Sequence, residues 1–316
     1  MRYVAGRLAM TLVLAWAVAT IVFLTLHLIP GDPAELLLST GGITPDPAAV
    51  AELRARLGLD RPLLVQYLDF AGRILRGDLG RSLVDDFPVA SEIALRLPRT
   101  LELIAAGTAI ALLLGIPAGV YAAVHRDGTF DRIMSGVTAL LLSIPVFVVG
   151  TLLVLVFAQI WRLMPAGGFV PFLSDPARHV TLLALPAIAI GKGLVAIVFR
   201  MTRSSVLDAL SRDHVRTARA KGLTPFQVLS RHVVRNSLTP VLTVLGLHMG
   251  ALLGGTVLVE YVFNWPGLST PLIRAVEARD YPMVVGIVLT VSGLFLLINL
   301  AVDLLYAALD PRARSS

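Results

Sequence analysis

Six runs of mostly apolar residues set the terms for this chain: 9–29, 101–124, 133–160, 180–199, 238–259 and 282–306. A helix needs about 20 such residues to cross a bilayer core, and each run is long enough. Backbone polar groups in lipid have to pair within the segment, so the runs are expected to be helices. Only 15% of residues are charged and mean hydropathy is +0.80, which excludes an ordinary cytosolic enzyme. The absence of cysteine excludes disulfides, iron–sulfur clusters and thiolate zinc sites. The first run is longer than a signal-peptide core and leads into Pro30-Gly31-Asp32-Pro33 instead of a small-residue cleavage site, so it is read as a retained span. The expected fold class is an all-α integral membrane protein with six transmembrane helices.

Positive charge sets the orientation, because short loops rich in Lys and Arg stay on the cytoplasmic side. With both termini cytoplasmic, the inner pieces carry Arg2 and Arg7, then Arg126 and Arg132, then a cluster between 200 and 235, then Arg312 and Arg314. The short outer loops carry only Arg162, Arg178, Arg274 and Arg279. The 30–99 segment is left outside and is long enough to cross whatever its charge. A pI near 10.1 therefore reports topology, and nucleic acid is not an expected partner.

Two extramembrane segments carry pattern. In the outer segment, Leu64, Tyr67, Leu68, Ala71 and Leu75 share one helical face and Gln66, Asp69, Arg73 and Arg76 the other. Such a helix packs on its own protein, lies on the membrane, or meets a partner. The inner loop, 200–237, places Ala218, Ala220 and Lys221 ahead of Gly222, with Thr224-Pro225 following. That order predicts a helix, a glycine stop, a threonine N-cap with proline at the first helical position, and a second helix. It is either a basic connection or a protrusion that docks a cytoplasmic partner.

Within the runs, Lys192 is the most central charge and is flanked by Gly191 and Gly193, while Glu102, Glu260 and Asp303 stand near span ends. Charges at depth face a bundle interior or an aqueous path, so Lys192 and Glu260 are candidates for the translocation path, with structural pairing or interfacial placement as the alternatives. Gly246, Gly250 and Gly254 recur every fourth residue, and Gly115 and Gly119 bracket Pro117. Small residues at that spacing allow close helix packing, and Pro117 predicts a kink. His27 and His248 lack a second ligand at metal spacing, so no metal site is expected. Neither Lys192 nor Lys221 stands in a Walker A loop, and no nucleophile elbow or zinc motif occurs. No catalytic residue and no cofactor is expected in this chain.

RTARAKGLTPFQVLSRHVVRNSLTP, in the inner loop, resembles the cytoplasmic EAA loop of permeases in binding-protein-dependent ABC importers, dipeptide/oligopeptide branch. GRLAMTLVLAWAVATIVFLTLHLIPGDPA, LGLDRPLLVQYLDFAGRILRGDLGRSL, VEYVFNWPGLSTPLIRAVEARDYPMV and NLAVDLLYAALDPRAR resemble other parts of that branch, in order and over nearly the whole chain. Arg216 and Thr217 stand where the wider pattern has Glu and Ala, and Val234-Arg235 replace its Leu-Pro. The resemblance implies a type I importer permease in the bacterial cytoplasmic (inner) membrane, its first helix and outer segment over 1–97, a five-helix permease core over 98–306 and a cytoplasmic tail over 307–316. It implies a second homologous permease, two P-loop ATPase subunits that bind ATP and Mg, and an extracytoplasmic binding protein. The ATPase-coupling loop would comprise Arg212, Arg216, Thr217, Ala218, Arg219, Ala220, Lys221, Gly222, Leu223, Thr224 and Pro225. The implied cargo is a di- or oligopeptide, with a nickel chelate or glutathione as alternatives. A secondary transporter driven by an ion gradient would instead show paired midplane charges and inverted repeats.

Overall fold

A computed structural model describes residues 2–28, 33–38 and 45–309. Pro30, Gly31 and Asp32 and the tail from 310 onward lie outside the described residues. All regular secondary structure among the described residues is helical; the one β-type feature is an isolated bridge between Arg81 and Pro88.

The long helices are α1 (Arg2–Leu28), α5 (Val89–Val124), α8 (Pro176–Ser211), α11 (Arg235–Val262) and α13 (Tyr281–Leu309). Each is apolar and long enough to cross a membrane. The shorter helices are α2 (Pro33–Leu38), α3 (Pro47–Leu57), α4 (Leu63–Leu75), α6 (Thr129–Ser143), α7 (Val146–Leu153), α9 (Asp213–Ala220), α10 (Pro225–Gln227) and α12 (Ser269–Glu277). Residue contacts divide the chain into two units, one of Leu8–Leu97 with Leu268–Leu296, the other of Pro98–Gly267 with the described parts of both chain ends.

In the first unit, α3 starts at Asp46, whose carboxylate accepts the Ala48 N–H at 3.1 Å, and stops at Gly58, which takes a left-handed φ of 70°. The expected amphipathic α4 forms, but its apolar face divides. Tyr67 stacks edge-on against Trp16 and Phe23 and shares a 2.7 Å hydrogen bond with Thr20, and Ala71 is buried. Leu64, Leu68 and Leu75 stay 68%, 60% and 77% exposed. Asp280 ties the unit together: the Ser82 hydroxyl donates to it at 2.5 Å and the Leu83 N–H at 3.1 Å, and at 3.4 Å it accepts the Met283 N–H at the start of α13.

In the second unit α8 is central, with 61% of its most apolar window buried, against 11% for α1. It packs on α6, α7 and α11, and α5 crosses it along a seam of small residues. A Cβ on Gly191 would stand 2.8 Å from the Gly107 carbonyl oxygen, and one on Gly119 would stand 2.7 Å from the Thr202 side chain. Only glycine permits backbones this close. α5 continues as one element through Pro98 and Pro117.

The third span departs from the single run expected over 133–160. It is a pair of helices bent by 103° at the break after Ser143. Pro145 explains the break: it has no N–H to continue the ladder, and its ring pushes Ile144 out of helical space, to φ −86° and ψ 128°. Past α7 the chain continues as a π-helical run, Val154–Ile160.

Candidate functional site

The loop between α8 and α11 folds as a helix–turn–helix protrusion. α9 ends at Lys221, and Gly222 then takes a φ of 81°, a left-handed value that glycine adopts without penalty. Thr224 opens the next helix through a capping box: its hydroxyl accepts the Gln227 N–H, and the Gln227 side chain accepts the Thr224 N–H at 3.0 Å. Pro225 occupies the first turn, where an N–H would have no partner. A π-helical run, Val228–Val234, then leads into α11.

The protrusion has an apolar root and a basic tip. Val215, Ala218, Val228 and Val233 are buried in one cluster with Ala123, Val206 and Ala209 from the ends of α5 and α8, and Leu223 packs against it. Arg212, Arg216, Thr217, Arg219, Ala220, Lys221, Thr224 and Pro225 are exposed, as is the Phe226 ring at 77%. Arg212 pairs with Asp208 at 2.7 Å and Arg216 with Asp213 at 3.8 Å, both on the surface. Of the residues assigned to coupling, Ala218 is thus part of the root and the arginines form the tip.

The two path candidates have different partners. The Lys192 ammonium donates to the Leu141 carbonyl at 2.6 Å and to the Ile144 carbonyl, two acceptors that the break before α7 leaves open. A cation at a helix C-terminus is favoured by the helix dipole, so Lys192 stabilises the end of α6. The neighbouring Gly191 supplies the close approach to Gly107. Glu260 is buried in the protein, 1% exposed, and the Thr100 hydroxyl donates to its carboxylate at 2.6 Å. A Cβ on Gly267 would collide with that carboxylate, so the glycine makes its pocket possible. Trp265, fully buried, donates its backbone N–H to the Glu260 carbonyl at 2.8 Å and its indole N–H to the Arg99 carbonyl at 3.0 Å. Asp303 is half-exposed and pairs with Arg7 at 3.0 Å.

The glycine row of α11 is used unevenly. Gly246 meets Val302 at a distance that excludes a side chain and Gly250 is buried, while Gly254 is exposed with nothing within reach of a Cβ.

Two polar pairings were not read from the sequence. Arg203 makes a two-pronged contact to Asp131, at 2.5 and 2.6 Å, with the aspartate 2% exposed; it links α6 to α8. Its partners are 72 residues apart, a separation no local pattern encodes. His179, 2% exposed, shares a 2.7 Å hydrogen bond with Glu102 and is ringed by Phe169, Phe172 and Trp265. The apolar run beginning near 180 hid this histidine at its edge.

Comparison with known proteins places the chain. Residues 115–315 match the model of the binding-protein-dependent transport system inner membrane component family, and residues 1–104 match the model of its N-terminal membrane component. The chain is 39% identical to the dipeptide transport system permease protein DppB of Escherichia coli K12 over 337 aligned residues, 99% of each chain. It is 43% identical to the glutathione transport system permease protein GsiC of Pectobacterium atrosepticum over 297 residues, 94% of each. Its fold is similar to a chain in inward-facing structures of the MetNI methionine ABC transporter, with a TM-score of 0.54 at 17% identity, covering 69% of this chain and 96% of that one. The chain belongs to the inner membrane components of binding-protein-dependent transport systems, as a multi-pass permease of the ABC importer type.

Proposed function

We propose that this permease forms half of the path through which an ATP-driven importer moves di- or oligopeptides brought by an extracytoplasmic binding protein. The observation that carries the peptide reading is the 39% identity to a dipeptide permease over 99% of both chains. The sequence offers no ATP-binding loop, so the energy has to arrive from other subunits, and a protrusion with a rigid root and an exposed basic tip suits that task. The reading therefore includes a second permease and two P-loop ATPases, with the segment from Arg212 to Pro225 seated against one ATPase. Closure of the ATPases on ATP would push this segment and alternate the access of the path.

Co-expression of the transporter subunits, reconstitution in liposomes and measurement of labelled dipeptide uptake test the reading. Uptake that requires ATP and the binding protein is the expected result; uptake driven by an imposed ion gradient without ATP would overturn it. The 43% identity to a glutathione permease favours one further reading of the cargo. Glutathione is itself a γ-linked tripeptide, and competition between it and ordinary dipeptides in the same liposomes separates the two.

A further inference from the structure

The outer unit contains a cleft of about 820 Å3 that the transport reading does not use. That volume is of the size that holds a small ligand or headgroup, roughly 300–1,000 Å3. Five arginines and three aspartates line it, so the wall carries a positive excess. Three of the arginines are already committed: Arg61 to Asp69 at 2.9 Å, Arg81 to Asp86 at 2.8 Å and Arg54 to Asp60 at 3.9 Å. The remaining two, Arg73 in the last turn of α4 and Arg76 at its C-cap, are exposed, with no carboxylate in ion-pair reach among the described residues. The third aspartate, Asp78, accepts the Gly80 N–H at 2.9 Å.

The wall also carries apolar side chains, among them Phe23 from α1, Val285 and Leu289 from α13, and Phe70 and Ile74 from α4, beside the polar His27 and Gln66. The cleft thus joins unpaired guanidinium groups to the flank of two spans, at the Leu28 end of α1 and the Tyr281 end of α13. On the other edge of α4, Leu64, Leu68 and Leu75 remain exposed, as suits a helix lying at the boundary of acyl chains and headgroups. A free solute in water has no use for that apolar edge, whereas a lipid engages both features.

The geometry points to a binding site for an anionic phospholipid, its phosphate held by Arg73 and Arg76 and its acyl chains descending along Phe23, Val285 and Leu289. Planar guanidinium forks suit phosphate oxygens and form charge-assisted hydrogen bonds. The site stands on the fold alone and does not depend on the cargo.

The test is native mass spectrometry of the full-length permease in its transporter complex, delipidated in detergent and titrated with phosphatidylglycerol or phosphatidylcholine of the same chains. The wild type is expected to retain phosphatidylglycerol preferentially. The double substitution Arg73→Gln and Arg76→Gln is expected to cut that retention by about tenfold, as loss of two exposed ion-pair contacts implies. Arg126→Gln with Arg132→Gln, which removes equal charge elsewhere, is expected to leave retention unchanged. Equal retention by the wild type and the Arg73/Arg76 variant would overturn the site, and so would an equal loss in the control. If the variant fails to assemble, competition on the wild type decides: displacement of bound phosphatidylglycerol by short-chain phosphatidylglycerol but not by inorganic phosphate supports the lipid site, while equal displacement by inorganic phosphate overturns it.

Discussion

Lys192 shows how a single side chain can have a role the sequence states only in part. Its central position among apolar residues marked it as important, but the acceptors it serves, Leu141 and Ile144, exist only because the chain breaks at Pro145. Replacing Lys192 with Met leaves those carbonyls without their donor, at a cost of about 1–3 kcal/mol. A lower melting temperature of the purified transporter is the expected result, and Lys192→Arg, which keeps donors and charge, should recover part of it. Gly191→Val belongs to the same scale. Its side chain has to enter space filled by the Gly107 backbone, and overpacking of this kind costs about 1–3 kcal/mol. Reduced yield of folded protein at unchanged transcript level is the expected observation, and normal yield would mean that α5 and α8 separate without penalty.

At the scale of elements, the protrusion between α8 and α11 was the part most legible in advance. The order of Ala218, Gly222, Thr224 and Pro225 encodes a stop, a cap and a start, and the structure contains each. Such signals are local, resting on φ preferences and on hydrogen bonds across three residues. The break within the third apolar run was not legible, for a related reason. The hydropathy of that run is continuous from 133 to 160, and Pro145 within a long apolar run does not say whether the helix bends or breaks. The polar pairs Arg203–Asp131 and His179–Glu102 were illegible because their members meet only through packing of separate helices. Two substitutions separate root from tip. Ala218→Leu overfills the root cluster and should lower transport through misplacement of the whole protrusion, with loss of protease resistance in the loop. Reversal of Arg216 and Arg219 to Glu leaves the root intact and should abolish co-purification of the ATPases while the loop stays protease-resistant. If the reversed variant still assembles and transports, the tip is not the contact.

On the scale of the whole molecule, composition and the spacing of apolar runs were enough to place the chain in a membrane, and the loop motif with four others in order was enough to place it among importer permeases. The segment between the first two apolar runs, with α2, α3 and α4, was legible only in its amphipathic helix. The cleft beside α4 depends on where α1 and α13 end, which hydropathy fixes only loosely. Transport by the complete assembly should stop when ATP is withdrawn and persist when a proton ionophore collapses the membrane gradient, a pair of results that liposome uptake can deliver in one experiment. Persistence without ATP would assign the work to a different energy source.

The glycine seam has a mechanical consequence. From Gly107 to Gly119, α5 presses its backbone into α8 with no side chain between them at the closest points, and further along Ala123 joins the cluster that roots the protrusion. Helices meshed this tightly have no lubricating layer and cannot slide past one another without first parting. The protrusion, α8 and the adjoining length of α5 are therefore packed as one casting, and Lys192 stands on the same helix that ends at the root of the protrusion.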